Sequence, residues 1–429
     1  MLTLTKRVIK KILPISIHKK LSEIYFDIRL KQIPANHKRL LERLREKEKK
    51  KVLFLLVNVD SWKYDTLYWE FDKINRFELL VIVCPFIAKG HDYLEIELEK
   101  SIVFCNEKKY KYLIAYDTKT RSVIDIKKIL KPDIVFFSNP NALTSKKLLI
   151  SNFLDTLTCY VPYSFRIDTL YNYNYNNDLV NLTWINFYET PIHKELAAKY
   201  ARNKGENVIV SGYPYLDNFR RHSQKSVWKS QPNKKKKIIW GPHWTIKGHQ
   251  STGLDWSCFL DYADFFLKAA ENYKDELQLA MKPHPFLRNT LESSDLWGIE
   301  KTKDYFLKWQ QMENCQLVEG DYVDLFIDSD ALIHDSGSFM AEYLILNKPI
   351  AYTLNDRDLN KDLNEFGQLA ISYHRIVRSE AELLEFIEDV ITGKENFNQE
   401  RTVFINNHLV FNDKMSANII TQEILNKLE

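Results

Sequence analysis

Short unbroken apolar runs separated by longer stretches of mixed polarity set the pattern of this chain. Residues 51–59, 78–84, 112–116 and 133–137 are dominated by Val, Ile, Leu and Phe with little alternation, the signature of strands covered on both faces. Residues 158–162, 184–187 and 207–210 continue the series. The pattern breaks over residues 220–237, which are polar and basic, and resumes with strands at 238–240, 277–281, 331–333 and 350–352. Helical periodicity falls between these runs, at 339–346, and later at 381–391 and 416–428. Buried strands alternating with helices predict α/β units with parallel sheets, two of them in sequence. The boundaries follow: an arm over 1–50, a first domain over 51–225, a second over 226–400, and a final segment, 401–429, whose helix crosses back to the first domain.

Length agrees, because 429 residues exceed one ordinary domain and 45% hydrophobic content suffices for two cores. Charge adds the arm. Of 61 Lys and Arg, 15 lie in residues 1–50, against 5 of the 57 Asp and Glu, so the rest of the chain is slightly acidic. Val8, Ile9, Ile12, Leu13, Leu21, Ile24, Tyr25 and Ile28 are interleaved with Lys6, Arg7, Lys10, Lys11, Lys19 and Lys20. That pattern predicts amphipathic helices on an anionic membrane surface, broken in two at Pro14. The competing reading of the same residues is a helical arm packed on its own protein. An acidic remainder argues against nucleic acid as a partner. With no stretch of about 20 apolar residues and no cleavable leader pattern, the expected location is cytoplasmic, peripheral on the inner membrane face. The odd, widely spaced Cys84, Cys105, Cys159, Cys258 and Cys315 read as reduced core residues rather than disulfides or a zinc site.

Candidate chemistry concentrates where strands end. The strand at 238–240 runs into Gly241, Pro242, His243, Trp244 and Thr245; that at 277–281 runs into Lys282, Pro283, His284 and Pro285, with Arg288 close behind. The strand at 331–333 runs into His334, Asp335, Ser336, Gly337 and Ser338 at the start of a helix. Loops after the carboxyl ends of parallel strands converge on one crevice, so His243, Thr245, Lys282, His284, Arg288, Ser336, Gly337 and Ser338 are expected to face a common ligand. Cations, hydroxyls and N–H groups at a helix start suit a diphosphate.

Other phosphate chemistries fit less well. The first strand ends in Asn58, Val59, Asp60 and Ser61 rather than a Gly-x-Gly-x-x-Gly turn, and no Gly-x4-Gly-Lys-Ser/Thr loop occurs. Asp328-Ser329-Asp330 precedes its strand and Asp356-Arg357-Asp358 follows the βαβ unit, so neither Asp-x-Asp sits where a metal-bound diphosphate is expected. The expectation is a site without metal.

Ser211-Gly212-Tyr213-Pro214 with Asp217, Gly241-Pro242 with Trp244, Lys282-Pro283-His284-Pro285, and Asp335-Ser336 with Ser338-Phe339 and Glu342 resemble the CDP-glycerol glycerophosphotransferase family, the teichoic acid and capsule polymerases. The resemblance covers roughly residues 150–355. It implies a GT-B-like architecture, two Rossmann-like domains facing across a cleft. It also implies a transferase that uses a CDP-activated alditol as donor, with no separate cofactor, and a polysaccharide, lipid-linked or teichoic-acid-like acceptor. Glu342 is then expected to reach a ribose hydroxyl. Two readings on the same architecture stay open, a glycosyltransferase using a nucleotide sugar and a nucleotide-sugar epimerase. The family carries a Trp-His-Gly-Thr motif whose His is assigned as general base, and this chain departs from it, because residues 159–168 contain no His. His284, His243 and Asp168 are therefore the catalytic candidates, with Asp168 or a second-domain His as base.

Overall fold

The computed structural model describes residues 15–88, 90–220, 226–249, 254–394, 399–410 and 413–429. It is built on two parallel sheets. The first contains β1 (Lys50–Leu56), β2 (Phe77–Val83), β3 (Tyr112–Ile114), β4 (Ile134–Phe137), β5 (Leu157–Tyr160), β6 (Ile185–Tyr188) and β7 (Val208–Val210), in the order β3-β2-β1-β4-β5-β6-β7. The second contains β8 (Lys236–Gly241), β9 (Leu277–Met281), β10 (Cys315–Leu317), β11 (Ala331–His334), β12 (Ile350–Thr353) and β13 (Arg375–Val377), in the order β10-β9-β8-β11-β12-β13. Each order reverses beside its first strand, between β1 and β4 and between β8 and β11. That reversal opens a crevice at the carboxyl edge of a doubly wound sheet.

The apolar runs account for the central strands: β4, β5, β6, β9, β11 and β12 are buried at every position. Two strands of these sheets escaped the sequence pattern. In β10 and β13, Gln316 and Arg375 interrupt the apolar positions, and each strand is three residues long at a sheet edge. An edge strand pairs on one side alone and needs less apolar surface. The predicted helix at 339–346 is also divided, into an α-turn at Phe339–Glu342 and a 3-10 turn at Tyr343–Leu346, which closes on left-handed Asn347.

The predicted break of the arm at Pro14 lies outside the described residues, as do residues 1–14 as a whole. From Ile15 to Arg45 the chain is a single helix, α1, that continues through Pro34. Phe26, Leu30, Ile33, Leu40 and Leu44 of α1 pack into the first domain's core. Leu21, Ile24, Tyr25 and Ile28 remain 43–55% exposed. The packed-arm reading therefore holds for the face of α1 that carries Phe26, Leu30 and Ile33 and continues to Leu44, whereas Leu21, Ile24, Tyr25 and Ile28 present an apolar stripe to solvent. All five cysteines are free and buried.

Two clamps join the domains. Phe165 stacks on Phe366 with centroids 5.3 Å apart. Beside this pair, Asn364 N–H donates to the Ile167 carbonyl at 2.8 Å, and Asp168 forms an antiparallel bridge with Leu363. At the other clamp the final helix, α3 (Ser416–Leu428), packs against α2 (Asp65–Asp72) of the first domain. Its Ser416 and Ala417 N–H groups donate to the Asp217 carboxylate at 2.9 Å each.

Candidate functional site at the domain junction

The loops after β8, β9 and β11 leave neighbouring strands of one sheet, and side chains tie them together. Gly241 at the end of β8 is in register with His334 at the end of β11. Just beyond, the Asp335 carboxylate accepts the N–H of His243 with one oxygen and the N–H of Cys258, at 2.7 Å, with the other. Asp335 thus brackets the β8 loop against the β11 loop. Burial pushes its pKa up to about 7, against the opposing pull of those two N–H groups and of Arg357.

His243 and His284 meet edge to face, with ring centroids 4.9 Å apart, so the β8 and β9 loops also touch. The His243 Nδ1 accepts the Thr245 N–H at 3.3 Å and faces the Thr245 hydroxyl at 2.8 Å. An accepting Nδ1 leaves the ring proton on Nε2. Burial, aided by Arg357, lowers the His243 pKa to about 3, so the ring is neutral and serves as a donor. Thr245 is spent on the loop itself, since its hydroxyl also accepts the Trp256 N–H at 3.1 Å. In His284, half-buried, Nδ1 accepts the Phe286 N–H at 3.1 Å, which again directs a neutral ring to donate through Nε2. His334 is sealed against His374 and Tyr352 and is neutral, its pKa lowered to about 3 by burial.

Gly337 has a steric reason. A Cβ there would lie 2.1 Å from the Trp256 ring and 3.3 Å from Ile167 of the first domain. Ser338 stands at the N-cap position of the following turn, but with helical φ and ψ and no hydrogen bond from its side chain to the turn. Arg288 is held by Glu319 at 3.2 Å and stacks on Phe306, in place of turning into the crevice. Both Asp-x-Asp strings are likewise engaged elsewhere. Asp328 pairs with Lys237 at 2.8 Å, and Asp356 with Lys247 at 2.7 Å.

Lys282 and Glu342 lie deeper, toward the first domain. Lys282 is 3% exposed, and burial lowers its pKa to about 8 despite nearby Asp60 of the first domain. Glu342 is fully buried; its Oε2 accepts the Tyr322 hydroxyl at 2.6 Å, its Oε1 has no partner, and burial raises its pKa. On the first domain, Asp168 closes its own turn, with Oδ1 accepting the Leu170 N–H and the Asn174 amide at 2.8 Å each. Burial raises its pKa too.

Sequence reasoning missed Trp256, Arg357, Lys63 and Tyr322. Arg357 donates to the Tyr352 hydroxyl at 2.8 Å and lies 5.6 Å from the Trp256 ring, which places a buried guanidinium beside His243 and Asp335. The available signal was its place after β12, a fourth strand end. Trp256 carries none, because its loop is reached only through the fold. A cavity of about 840 Å³ lies at the opposite edge of this sheet, lined by Trp228, Lys229, Lys237, Gln278 and Asp328, and contains none of the sequence-selected residues. Among the described residues, no group of three His, Cys, Asp or Glu gathers as metal ligands.

Two doubly wound domains, with the polar strand-end loops of the second turned toward the first, define a GT-B-like α/β protein. The sequence pattern of the family described as CDP-Glycerol:Poly(glycerophosphate) glycerophosphotransferase matches residues 176–426, more than half of the chain, and the chain belongs to that family. It is 28% identical over 160 residues to the teichoic acid poly(ribitol-phosphate) polymerase of Bacillus spizizenii, covering 36% of this chain and 23% of the relative. It is 23% identical over 232 residues to the teichoic acid ribitol-phosphate polymerase TarL of Staphylococcus aureus, covering 52% and 37%. The chain thus spans well under half the length of these curated relatives. Among solved structures it resembles the wall teichoic acid polymerase TagF, with a TM-score of 0.57, 15% identity, and 96% and 98% of the two chains covered. It also resembles the UDP-GlcNAc 2-epimerase of Neisseria meningitidis, with a TM-score of 0.51, 16% identity, and 88% and 100% covered. At these identities the structural likeness speaks for the fold alone.

Proposed function

We propose that this protein transfers an alditol phosphate from a CDP-activated donor to a hydroxyl of a teichoic-acid-like or lipid-linked acceptor. The observation that carries this reading is the family match over residues 176–426, which includes all three strand-end loops of the second domain. In the reaction, an acceptor oxygen attacks the alditol-bearing phosphorus and a phosphodiester forms. The bond to the bridging oxygen of the diphosphate breaks, CMP leaves with that electron pair, and the acceptor hydroxyl gives up its proton.

Each step asks something of this chain. Charge accumulating on the leaving phosphate is met by Lys282, by the Nε2–H donors of His243 and His284, and by the loop at Ser336, Gly337 and Ser338. Arg357 adds a buried positive field behind them. The unpaired Oε1 of Glu342 is free to accept a nucleoside hydroxyl. Thr245 sets the His243 tautomer. Arg288, paired with Glu319, has no assigned role. Both histidines use Nδ1 to accept backbone N–H groups, which disfavours either as a base. Asp168, a carboxylate with a raised pKa on the first-domain side, is the remaining candidate. In this reading these groups meet the charge on the diphosphate, and the chelator arm of the test below asks whether a metal is also needed.

The test is turnover of CDP-glycerol and CDP-ribitol, with CMP release measured in the presence and absence of a chelator. Asp168→Asn is expected to abolish turnover while retaining donor binding. Release of UDP from a UDP-sugar, or its isomerisation without acceptor, would overturn the reading in favour of a glycosyltransferase or an epimerase. The exposed stripe at Leu21, Ile24, Tyr25 and Ile28 supports attachment to an anionic membrane on the side where the nucleotide donor is available.

A further inference from the structure

Between the two domains Lys282 has a cationic partner, Lys63, that the sequence pattern did not single out. Lys63, in the loop after β1, is 9% exposed, and its ammonium sits 4.0 Å from the Tyr215 ring centroid and 5.7 Å from that of Tyr322. Lys282 of the second domain approaches the same Tyr322 ring at 5.6 Å. One aromatic ring is therefore flanked by ammonium groups from opposite sides of the cleft. Neither lysine has a carboxylate oxygen within ion-pair distance among the described residues, and the hydrogen bond Lys282 makes is a long one, 3.4 Å to the Pro283 carbonyl. Beside them are two further buried groups without partners, Oε1 of Glu342 and the Tyr213 hydroxyl.

Two buried like charges are costly, and the carboxylates near them, Glu342 by Lys63 and Asp60 by Lys282, offset only part of that cost together with the ring faces of Tyr215 and Tyr322. The component that would balance the cluster is an anion bearing a hydroxyl, a description met by a phosphate esterified to a sugar or polyol. The carboxyl ends of β1 and β9 both face this point, as expected of a ligand held between doubly wound domains.

We infer that Lys63 is a second phosphate-binding cation, which joins Lys282 across the cleft on the non-bridging oxygens of the phosphoryl group in transfer. This rests on the transfer reading above, and it adds that the first domain contributes charge to the donor's distal phosphate as well as presenting the acceptor. Closure of the domains would then be coupled to the presence of that phosphate.

The experiment uses the full chain with Lys63→Met, which keeps the aliphatic packing on Tyr215, and Lys63→Arg, which keeps the charge. With CDP-glycerol and acceptor, Lys63→Met is expected to lower kcat about 100-fold, as loss of one charge-stabilising donor does, and Lys63→Arg to restore part of it. Affinity for CMP, which lacks the transferred phosphoryl group, should be unchanged in both. A parallel readout needs no turnover: inorganic pyrophosphate should raise the thermal midpoint of the wild type and of Lys63→Arg but not of Lys63→Met. Equal stabilisation of all three by pyrophosphate, or Lys63→Met turnover within about threefold of wild type, overturns the role of Lys63. Pyrophosphate stabilisation that depends on Lys63, without turnover of any CDP-alditol by the wild type, would keep the anion site and reject the transfer reading.

Discussion

Replacing Gly337 by Ala tests whether the β11 loop is as tightly closed as its surroundings imply. The added Cβ would stand 2.1 Å from one carbon of the Trp256 ring, 2.6 Å from a second and 3.3 Å from Ile167. Carbon atoms pack at about 3.5–4.0 Å, so the indole must retreat by roughly 1.5 Å or the loop must move. Trp256 has little room for this. Its backbone N–H is bound to the Thr245 hydroxyl at 3.1 Å, and its ring is hemmed in by His243 at 5.4 Å and Arg357 at 5.6 Å. Overpacking of this kind costs about 1–3 kcal/mol, or a Tm lowered by roughly 2–12 °C for a domain of this size. The strain falls on the one loop that touches His243, Asp335 and the first domain together. Donor KM should therefore rise along with the loss of stability. Denaturant unfolding and donor titration measure the two effects. Gly320→Ala is the control, since its φ of +106° is strained but no atom lies within 4 Å of the built Cβ. Unchanged stability and unchanged donor affinity in Gly337→Ala would refute the packing argument, and a loss in Gly320→Ala alone would assign the cost to backbone conformation.

Three further outcomes follow from buried charge and exposed surface. Because the Lys282 pKa is lowered to about 8, kcat/KM for the donor should fall as pH rises through 8, with the limb moved higher in kcat once phosphate is bound; a flat alkaline profile excludes Lys282. Burial raises the Asp217 pKa to about 6, so the folded state binds a proton there that the unfolded chain has already released. That contribution is fully present below about pH 4 and lost as pH rises through about 6. Asp217→Asn should flatten this slope and, by weakening the bonds to the Ser416 and Ala417 N–H groups, cost about 1–3 kcal/mol at neutral pH by denaturant unfolding. Leu21→Glu with Ile28→Glu should reduce cosedimentation with anionic vesicles, leaving the thermal midpoint in place; unchanged cosedimentation would remove α1 from any membrane contact.

The chain by itself determined what depends on neighbours in sequence. Buried parallel strands are legible because both faces of the sheet are covered, so their apolar runs are continuous, as in β4, β9 and β11. Strand-end loops are legible for the same reason: a run that stops at Gly241, Met281 or His334 shows where the polar crevice begins. Lys282, His243, His284 and Gly337 were read that way. Tertiary structure alone decided what depends on residues far apart in the chain. Whether His243 is charged was settled by burial and by Arg357, more than a hundred positions away, and the direction of Arg288 by Glu319. The arm was divided between core and solvent by the surface it met, since the periodicity of α1 is the same whether its apolar face covers a protein or a lipid. Lys63 and Tyr322 acquired significance only when β1 and β9 were brought to opposite sides of one cleft. A charge has no local pattern that reveals which other charge it will face.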